Sequence, residues 1–269
     1  MSGFELITHQ LVRPALVVHG GAGAYVRTTT QAQRLSRGQR LSSFAKIGLE
    51  AIEEGGARAG VLAAVAEMEK DETLNAGYGA RLQQDGECRV SAALMDGRNT
   101  RLSAVYNLEG CLHPSILADH LQTRADRNLD GTGARILMDE LDMARVDLRT
   151  SRNLERWKYL KESGEKGDSE GAIGDAGAEG AKKADEVGIA VPEDLKKDDS
   201  ENRFGTVGAV AVDGEGELWA CTSTGGRGHE HPGRVSDSPT PAGNYACPRV
   251  AISATGFGEQ ILDLNICLQ

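Results

Sequence analysis

The residue pair most able to do chemistry is Gly205-Thr206, which opens a strand-like run directly after a long polar stretch. Breaking the Gly205–Thr206 bond would free an α-amine on the same residue as a hydroxyl. An α-amine titrates near pH 7.7–8 and can serve as the adjacent base that a threonine hydroxyl needs to become a nucleophile. Gly205 has no Cβ to shield the carbonyl that must be attacked. Position alone leaves two readings open, a surface insertion between two strands or a cleavage site. The residues downstream favour the second. Thr222-Ser-Thr-Gly-Gly226 gathers three hydroxyls and two glycines, and Pro232-Gly-Arg-Val-Ser-Asp-Ser-Pro239 follows closely. Arg234 can clamp a carboxylate through two parallel hydrogen bonds, and Asp237 can pair with an ammonium. Together they suit the two charged groups of a free α-amino acid. Thr255 and the Gly256 amide can donate to a developing oxyanion.

These residues must be positioned by elements that the sequence also indicates. Pro14–Val18 is a short apolar run that reads as a buried strand ending in the glycine-rich loop His19-Gly-Gly-Ala-Gly-Ala24. Helical spacing follows through Leu41, Phe44, Ala45, Gly48, Ala51 and Ile52, is stopped by Gly55-Gly56, and resumes through Val61, Ala64, Val65 and Met68. Asn75-Ala-Gly-Tyr-Gly79 is a second glycine-punctuated loop. Strands are expected at 88–94 and 102–108 around the turn 96–99, and helices at 114–122 and around 134–141. The clearest strand signal is Thr206–Asp213, which turns through Gly214-Glu-Gly216 into 217–223 as a hairpin. A third strand at 250–254 leads to Thr255-Gly-Phe-Gly258. Helix pairs beside strand hairpins point to helices packed on a largely antiparallel sheet.

The chain has 269 residues, enough for a full core, and a formal net charge of -10. That balance, without a basic stripe, argues against a nucleic-acid partner. Residues 163–201 hold 12 acidic and 5 basic side chains with little to bury, and are expected to form a mobile linker spanning about 161–203. No apolar run approaches a membrane span, so no membrane association is expected and a cytoplasmic protein is the default. Five scattered cysteines form no CxxC pair and read as free thiols. His229 and His231 are a weak metal pair on a polar loop, and the spacing of HGGAGA fits no phosphate-binding fingerprint. Trp157, Tyr159 and Leu160 on a helix over 151–162 could face a partner, but ordinary packing is the preferred reading.

The run GTVGAVAVDGEGELWACTSTGG, followed by HPGRVSDSP and SATGFGE, resembles the β-subunit start of the N-terminal-nucleophile asparaginases. That group includes plant-type L-asparaginase/isoaspartyl peptidase, glycosylasparaginase and threonine aspartase. VVHGGAGA, NAGYGARLQQDG and SAALMDG agree with its α-subunit, so the resemblance covers roughly 14–122 and 204–259. It implies an α/β fold, a four-layer αββα sandwich of two stacked, mainly antiparallel sheets between helical layers. It divides the chain into an α portion, 1–205 with its core at about 14–160, and a β portion, 206–269, within one structural domain. Thr206 would be nucleophile and base, Thr224 its hydrogen-bonding partner, and Asn75 a nearby asparagine. Arg234 and Asp237 would bind substrate, Thr255 and Gly256 would form the oxyanion hole, and Gly258 would shape that wall. Backbone carbonyls between Met68 and Tyr78, from Met68, Glu69, Asp71, Leu74, Ala76 and Tyr78, would hold a structural sodium ion, with no other cofactor required.

TSTGG is closer to the asparaginase/isoaspartyl peptidase pattern than to glycosylasparaginase, which typically has asparagine where Gly225 stands. The implied reaction is hydrolysis of the β-amide of L-asparagine or of β-aspartyl dipeptides, in an (αβ)2 homodimer. Three departures stand out. Phe204 and Ser236 replace residues common in the family, and only Gln260–Gln269 follow TGFGE, so a C-terminally truncated member is expected. An inactive relative that binds another protein, and a threonine endopeptidase, are the competing readings.

Overall fold

The computed structural model describes residues 7–22, 31–163 and 205–269. The acidic segment, Phe204 and the end of HGGAGA lie outside the described residues. Six strands form one sheet in the order β1 (Ala15–His19), β5 (Val207–Val212), β6 (Leu218–Thr224), β2 (Arg89–Asp96), β3 (Arg101–Glu109), β4 (Asn128–Leu129). Every pairing is antiparallel except β3 with β4. The expected 206–223 hairpin is β5–β6. Asp213 fixes its turn by accepting from the Glu215 and Glu217 amides at 3.1 and 2.9 Å. A second, two-stranded sheet is made by β7 (Asn244–Cys247) and β8 (Val250–Ser253).

Alternation along the strands sends side chains to opposite faces. Val207, Ala209, Ala211, Trp219 and Cys221 meet the helices, while Val210 and Ala220 meet Tyr245, Ala246 and Ala251 of the β7–β8 hairpin. On the helical face, α1 (Gln31–Lys70) packs Val61, Ala64, Val65 and Met68 into the core. It is two helical segments joined at Gly55-Gly56, as the sequence indicated. Gly56 has φ +73°, a conformation that glycine adopts without strain, and the next amide, Ala57, donates to Asp213 Oδ2 at 3.2 Å. One aspartate therefore anchors both the β5–β6 turn and the restart of α1.

The helices α2 (Pro114–Leu121) and α3 (Gly131–Glu140) cover β2 and β3, with Leu117, Leu121, Leu137 and Met138 buried. Helix α4 (Ser151–Ser163) docks Leu154 and Trp157 on this cluster, and the Trp157 indole donates to the Gln83 carbonyl at 2.9 Å. Packing therefore accounts for Trp157. The last helix, α5 (Gly258–Leu264), follows β8. No helix of the described residues is long and apolar enough to cross a membrane. All five cysteines are unpaired thiols. The described residues thus form helices, a six-stranded sheet and a two-stranded sheet, stacked in that order.

Candidate active site

One end of the large sheet collects the residues with chemistry. The β5–β6 register pairs Val207 with Ser223 and Gly208 with Thr222. One step further along that register sets Thr206 opposite Thr224 on the hairpin-facing side. The Thr206 hydroxyl donates to Thr224 Oγ1 at 3.3 Å and lies 2.8 Å from Ser238 Oγ. All three are buried. Gly226 N donates to Thr224 Oγ1 at 3.2 Å, which holds that oxygen toward Thr206.

Strand β1 ends alongside β5, with His19 paired to Gly208. The missing side chain at Gly208 leaves room for His19 Nε2 to sit 2.7 Å from Ser253 Oγ. Ser253 is 2.6 Å from Thr222 Oγ1, which donates to Asn244 Oδ1 at 2.8 Å. Asn244 in turn donates from Nδ2 to the Ala220 carbonyl. With Thr222 donating to Asn244, Ser253 donates to Thr222 and His19 donates from Nε2 to Ser253. Burial pushes the His19 pKa down to about 4, against an opposing pull from the Thr206 backbone, so the imidazole is neutral near pH 7.

The glycine loop after β1 lies on the candidate cleavage point. A Cβ on Gly21, whose φ is +105°, would collide with the Gly205 nitrogen and stand 2.8 Å from the Gly205 carbonyl oxygen. Ala22 N donates to Thr255 Oγ1 at 3.0 Å, and that same oxygen would be 3.0 Å from a Cβ on Gly205. Thr255 therefore stands beside Gly205, and Gly256 opens onto the cleft next to it.

This cleft, of 530 Å³ including its open mouth, is lined by Gly205, Thr206, Thr224, Arg234, Asp237 and Gly256. Asn75 and Gly258 reach the same space. Asn75 donates to the Gly226 carbonyl at 2.5 Å, accepts from Arg81 N at 3.2 Å, and takes the Gly225 amide on its own carbonyl at 2.9 Å. It braces the loop after β6. A Cβ on Gly258 would lie 2.6 Å from Asp237 Oδ1 and 2.8 Å from Arg234 Nη2, so glycine there keeps the charged pair accessible. Burial raises the Asp237 pKa to about 6, opposed in part by the nearby Arg234 charge. Asp237 Oδ2 is buried without a hydrogen-bond partner among the described residues. Arg234 donates to both oxygens of Glu259, from Nε at 2.7 Å and from Nη2 at 2.9 Å.

Of the site residues read from the sequence, Asn75, Gly205, Thr206, Thr224, Arg234, Asp237, Gly256 and Gly258 line one cleft and Thr255 stands beside Gly205, while the rest of the stretch from Met68 to Tyr78 lies outside that lining. There the Glu69 side chain is fully buried and accepts from Ser115 N at 3.2 Å, Ser115 Oγ at 2.7 Å and Ser223 Oγ at 2.7 Å. His113 Nδ1 lies 3.1 Å away. This carboxylate ties the end of α1 to β6 next to Thr224, whereas the sequence reading named only the Glu69 backbone carbonyl, as a sodium ligand. Ser238, Glu259, His19 and Ser253 were also missed as site residues. Their neighbours in GRVSDSP, TGFGE, HGGAGA and SATG were the available signal. Ser236 lines the cleft with its hydroxyl buried and without a hydrogen-bond partner among the described residues. No three His, Cys, Asp or Glu side chains among the described residues are grouped to hold a metal, so the His229–His231 pair gains no further ligands there.

The family model described as asparaginase (Asparaginase_2) matches residues 12–269. Among curated relatives, an isoaspartyl peptidase/L-asparaginase of Nostoc is 36% identical over 94% of this chain and 73% of its own. A plant-type L-asparaginase of Pyrobaculum calidifontis is 36% identical over 94% of this chain and 77% of its own. A human isoaspartyl peptidase/L-asparaginase is 32% identical, over 95% and 75% respectively. With the matched model spanning nearly the whole chain and the motif residues gathered at one cleft, this protein belongs to the asparaginase family.

Proposed function

We propose that the chain cuts itself between Gly205 and Thr206 and then hydrolyses the β-amide of L-asparagine or of β-aspartyl dipeptides. The observation that carries this reading is the placement of a buried Thr206 against Thr224 in the cleft that also holds Arg234 and Asp237. The relatives' names, isoaspartyl peptidase/L-asparaginase and plant-type L-asparaginase, agree with it.

In this mechanism the freed Thr206 amine takes the hydroxyl proton, and Oγ attacks the substrate's side-chain carbonyl. Arg234 takes the α-carboxylate and the unpartnered Asp237 oxygen takes the α-ammonium, which fixes the β-carbonyl over Thr206. The Thr255 hydroxyl and the Gly256 amide stabilise the oxyanion. Ammonia or a peptide amine leaves, and water hydrolyses the β-aspartyl ester. Scission leaves the two pieces joined, because β5 stays hydrogen-bonded to β1 and β6 to β2.

The same reading gives the chain an αββα sandwich and, where that fold is complete, an (αβ)2 homodimer, with free thiols that suit a reducing compartment. Its two portions, 1–205 and 206–269, form one domain around the shared sheet. A structural sodium ion would be held by backbone carbonyls between Met68 and Tyr78. The Glu69 and Leu74 carbonyls already close on Gly77 and Gly79 there, an all-oxygen set suited to a hard cation. The ion would stiffen the turn that carries Asn75.

Intact mass after incubation near neutral pH, beside a Thr206→Ala control, tests the proposal. Two fragments meeting at Gly205–Thr206, with ammonia released from L-asparagine, are expected only from the unaltered chain. A folded chain that stays whole and inactive overturns it.

A further inference from the structure

The uncut chain poses a problem that the mature mechanism does not solve. Before scission the Thr206 nitrogen is an amide and cannot act as base, so side chains alone must prepare the hydroxyl. Two hydroxyls reach it, and Ser238 is the nearer, at 2.8 Å against 3.3 Å for Thr224. Ser238 is completely buried, so no bulk water competes for this contact. A hydroxyl carries one proton and two lone pairs. Thr206 donates its proton to Thr224, which leaves Ser238 to donate to Thr206 Oγ1.

Resting on the reading of Thr206 as nucleophile, we propose that Ser238 is a catalytic residue of self-cleavage. Its hydroxyl holds the β-branched Thr206 side chain in one rotamer and steadies the charge that grows on Oγ as the proton leaves toward Thr224. Oγ bonds to the Gly205 carbonyl carbon while the carbonyl π pair moves to oxygen. The C–N bond then breaks and nitrogen keeps the electron pair. The proton lost from Oγ ends on that nitrogen, giving a free amine and a Gly205–Thr206 ester. Water hydrolyses the ester to the Gly205 carboxylate and the Thr206 hydroxyl. Ser238 adjoins Asp237, so one segment serves the nucleophile with one residue and the substrate ammonium with the next.

The test compares the unaltered full chain with Ser238→Ala and Ser238→Cys, following scission by intact mass across pH. L-Asparagine turnover is measured per free N-terminal Thr206. Losing one donor to the nucleophile is expected to slow scission about tenfold. It should also move the pH–rate profile upward, because an unsupported hydroxyl gives up its proton less readily. KM for L-asparagine should stay within about twofold, and Ser238→Cys, with a weaker donor, should fall between. Scission of Ser238→Ala at the unaltered rate and pH profile overturns the proposal alone. If Ser238→Ala does not fold, a folded Ser238→Cys with an unchanged rate and profile overturns it equally. An unaltered chain that is never cut overturns both this proposal and the reading beneath it.

Discussion

Arg234 closes both arms of its guanidinium on Glu259, with Nε–Oε1 at 2.7 Å and Nη2–Oε2 at 2.9 Å. This is the fork geometry with which an arginine receives a substrate carboxylate. The internal carboxylate therefore competes with the incoming one. Arg227, 3.6 Å from Glu259, offers the displaced side chain a second cation. Replacing Glu259 with glutamine removes the competing charge and keeps one acceptor for Arg234. The expected result is a KM for L-asparagine lowered by about three- to tenfold, with tighter product inhibition by L-aspartate. Steady-state kinetics of the matured enzyme check it, and an unchanged KM would mean that the fork opens without cost.

Gly21 bears directly on scission. Its backbone lies against Gly205, and its φ of +105° is one that an L side chain rarely adopts. Gly21→Ala should displace Gly205 or the loop, and slow scission by roughly tenfold or more. The large sheet should persist, because Gly21 lies outside its strands. Time-resolved intact mass and far-UV circular dichroism separate the two effects. Rapid cutting of the alanine variant would show that this contact does not set the geometry of the cleavage point.

The β5–β6 hairpin was legible because the valine-rich apolar run 207–212 and the Gly214–Gly216 turn are local signals. Once the hairpin is given, its register alone brings Thr206 to Thr224. The stop at Gly55-Gly56 and the strands β2 and β3 were legible for the same reason. Ser238 was not, because its approach to Thr206 crosses 32 positions and depends on how the GRVSDSP segment folds back over the sheet. Strand β7 was missed because Asn244–Cys247 is short and carries no alternating pattern. The burial of Glu69 depends on partners at 113, 115 and 223, which no local spacing relates.

Two buried groups give the protein opposing responses to acid. The His19 pKa, lowered by burial to about 4, lies below its unfolded value of 6.5. Its contribution is present above pH 6.5 and is lost as pH falls through 4, a change of about 3 kcal/mol. The Asp237 pKa, raised by burial from 3.8 to about 6, acts the other way. Its contribution is present below pH 3.8 and is lost as pH rises through 6, again by about 3 kcal/mol. Between pH 4 and 6 the two nearly cancel. Urea unfolding of His19→Gln should therefore show stability falling with pH across this window relative to the unaltered chain, and that of Asp237→Asn should show it rising. Parallel pH profiles for the two variants would contradict the burial argument.

The same Asp237 titration reaches substrate binding. Only the ionised carboxylate attracts the α-ammonium, so kcat/KM for L-asparagine should fall as pH drops below about 6. β-Aspartyl dipeptides carry the same ammonium and should show the same limb. Asp237→Asn should lower kcat/KM and abolish this limb, leaving only the rise through pH 7.7–8 expected of the Thr206 amine. A limb near pH 6 that persists in the asparagine variant would assign it to another group.

Gly225 sets how closely the loop after β6 packs on Asn75. A Cβ there would collide with the Ala80 backbone, and would stand 2.5 Å from Ala80 Cβ and 2.7 Å from Asn75 Oδ1. The contact is tight because Asn75 uses its carbonyl to hold the Gly225 amide and its Nδ2 to hold the Gly226 carbonyl. Gly225→Asn, the residue expected of a glycosylasparaginase, must push this loop outward and carry the neighbouring Thr224 away from Thr206. Overpacking of this kind costs about 1–3 kcal/mol, and kcat should fall at the same time because the Thr206–Thr224 bond is already 3.3 Å long. Gly225→Ala, which adds only the Cβ, should show the same signs at smaller size. Urea midpoints and kcat per matured site measure both effects. An alanine variant with unaltered stability and kcat would show that the loop after β6 yields freely, and the preference for glycine at this position would then need a cause other than packing.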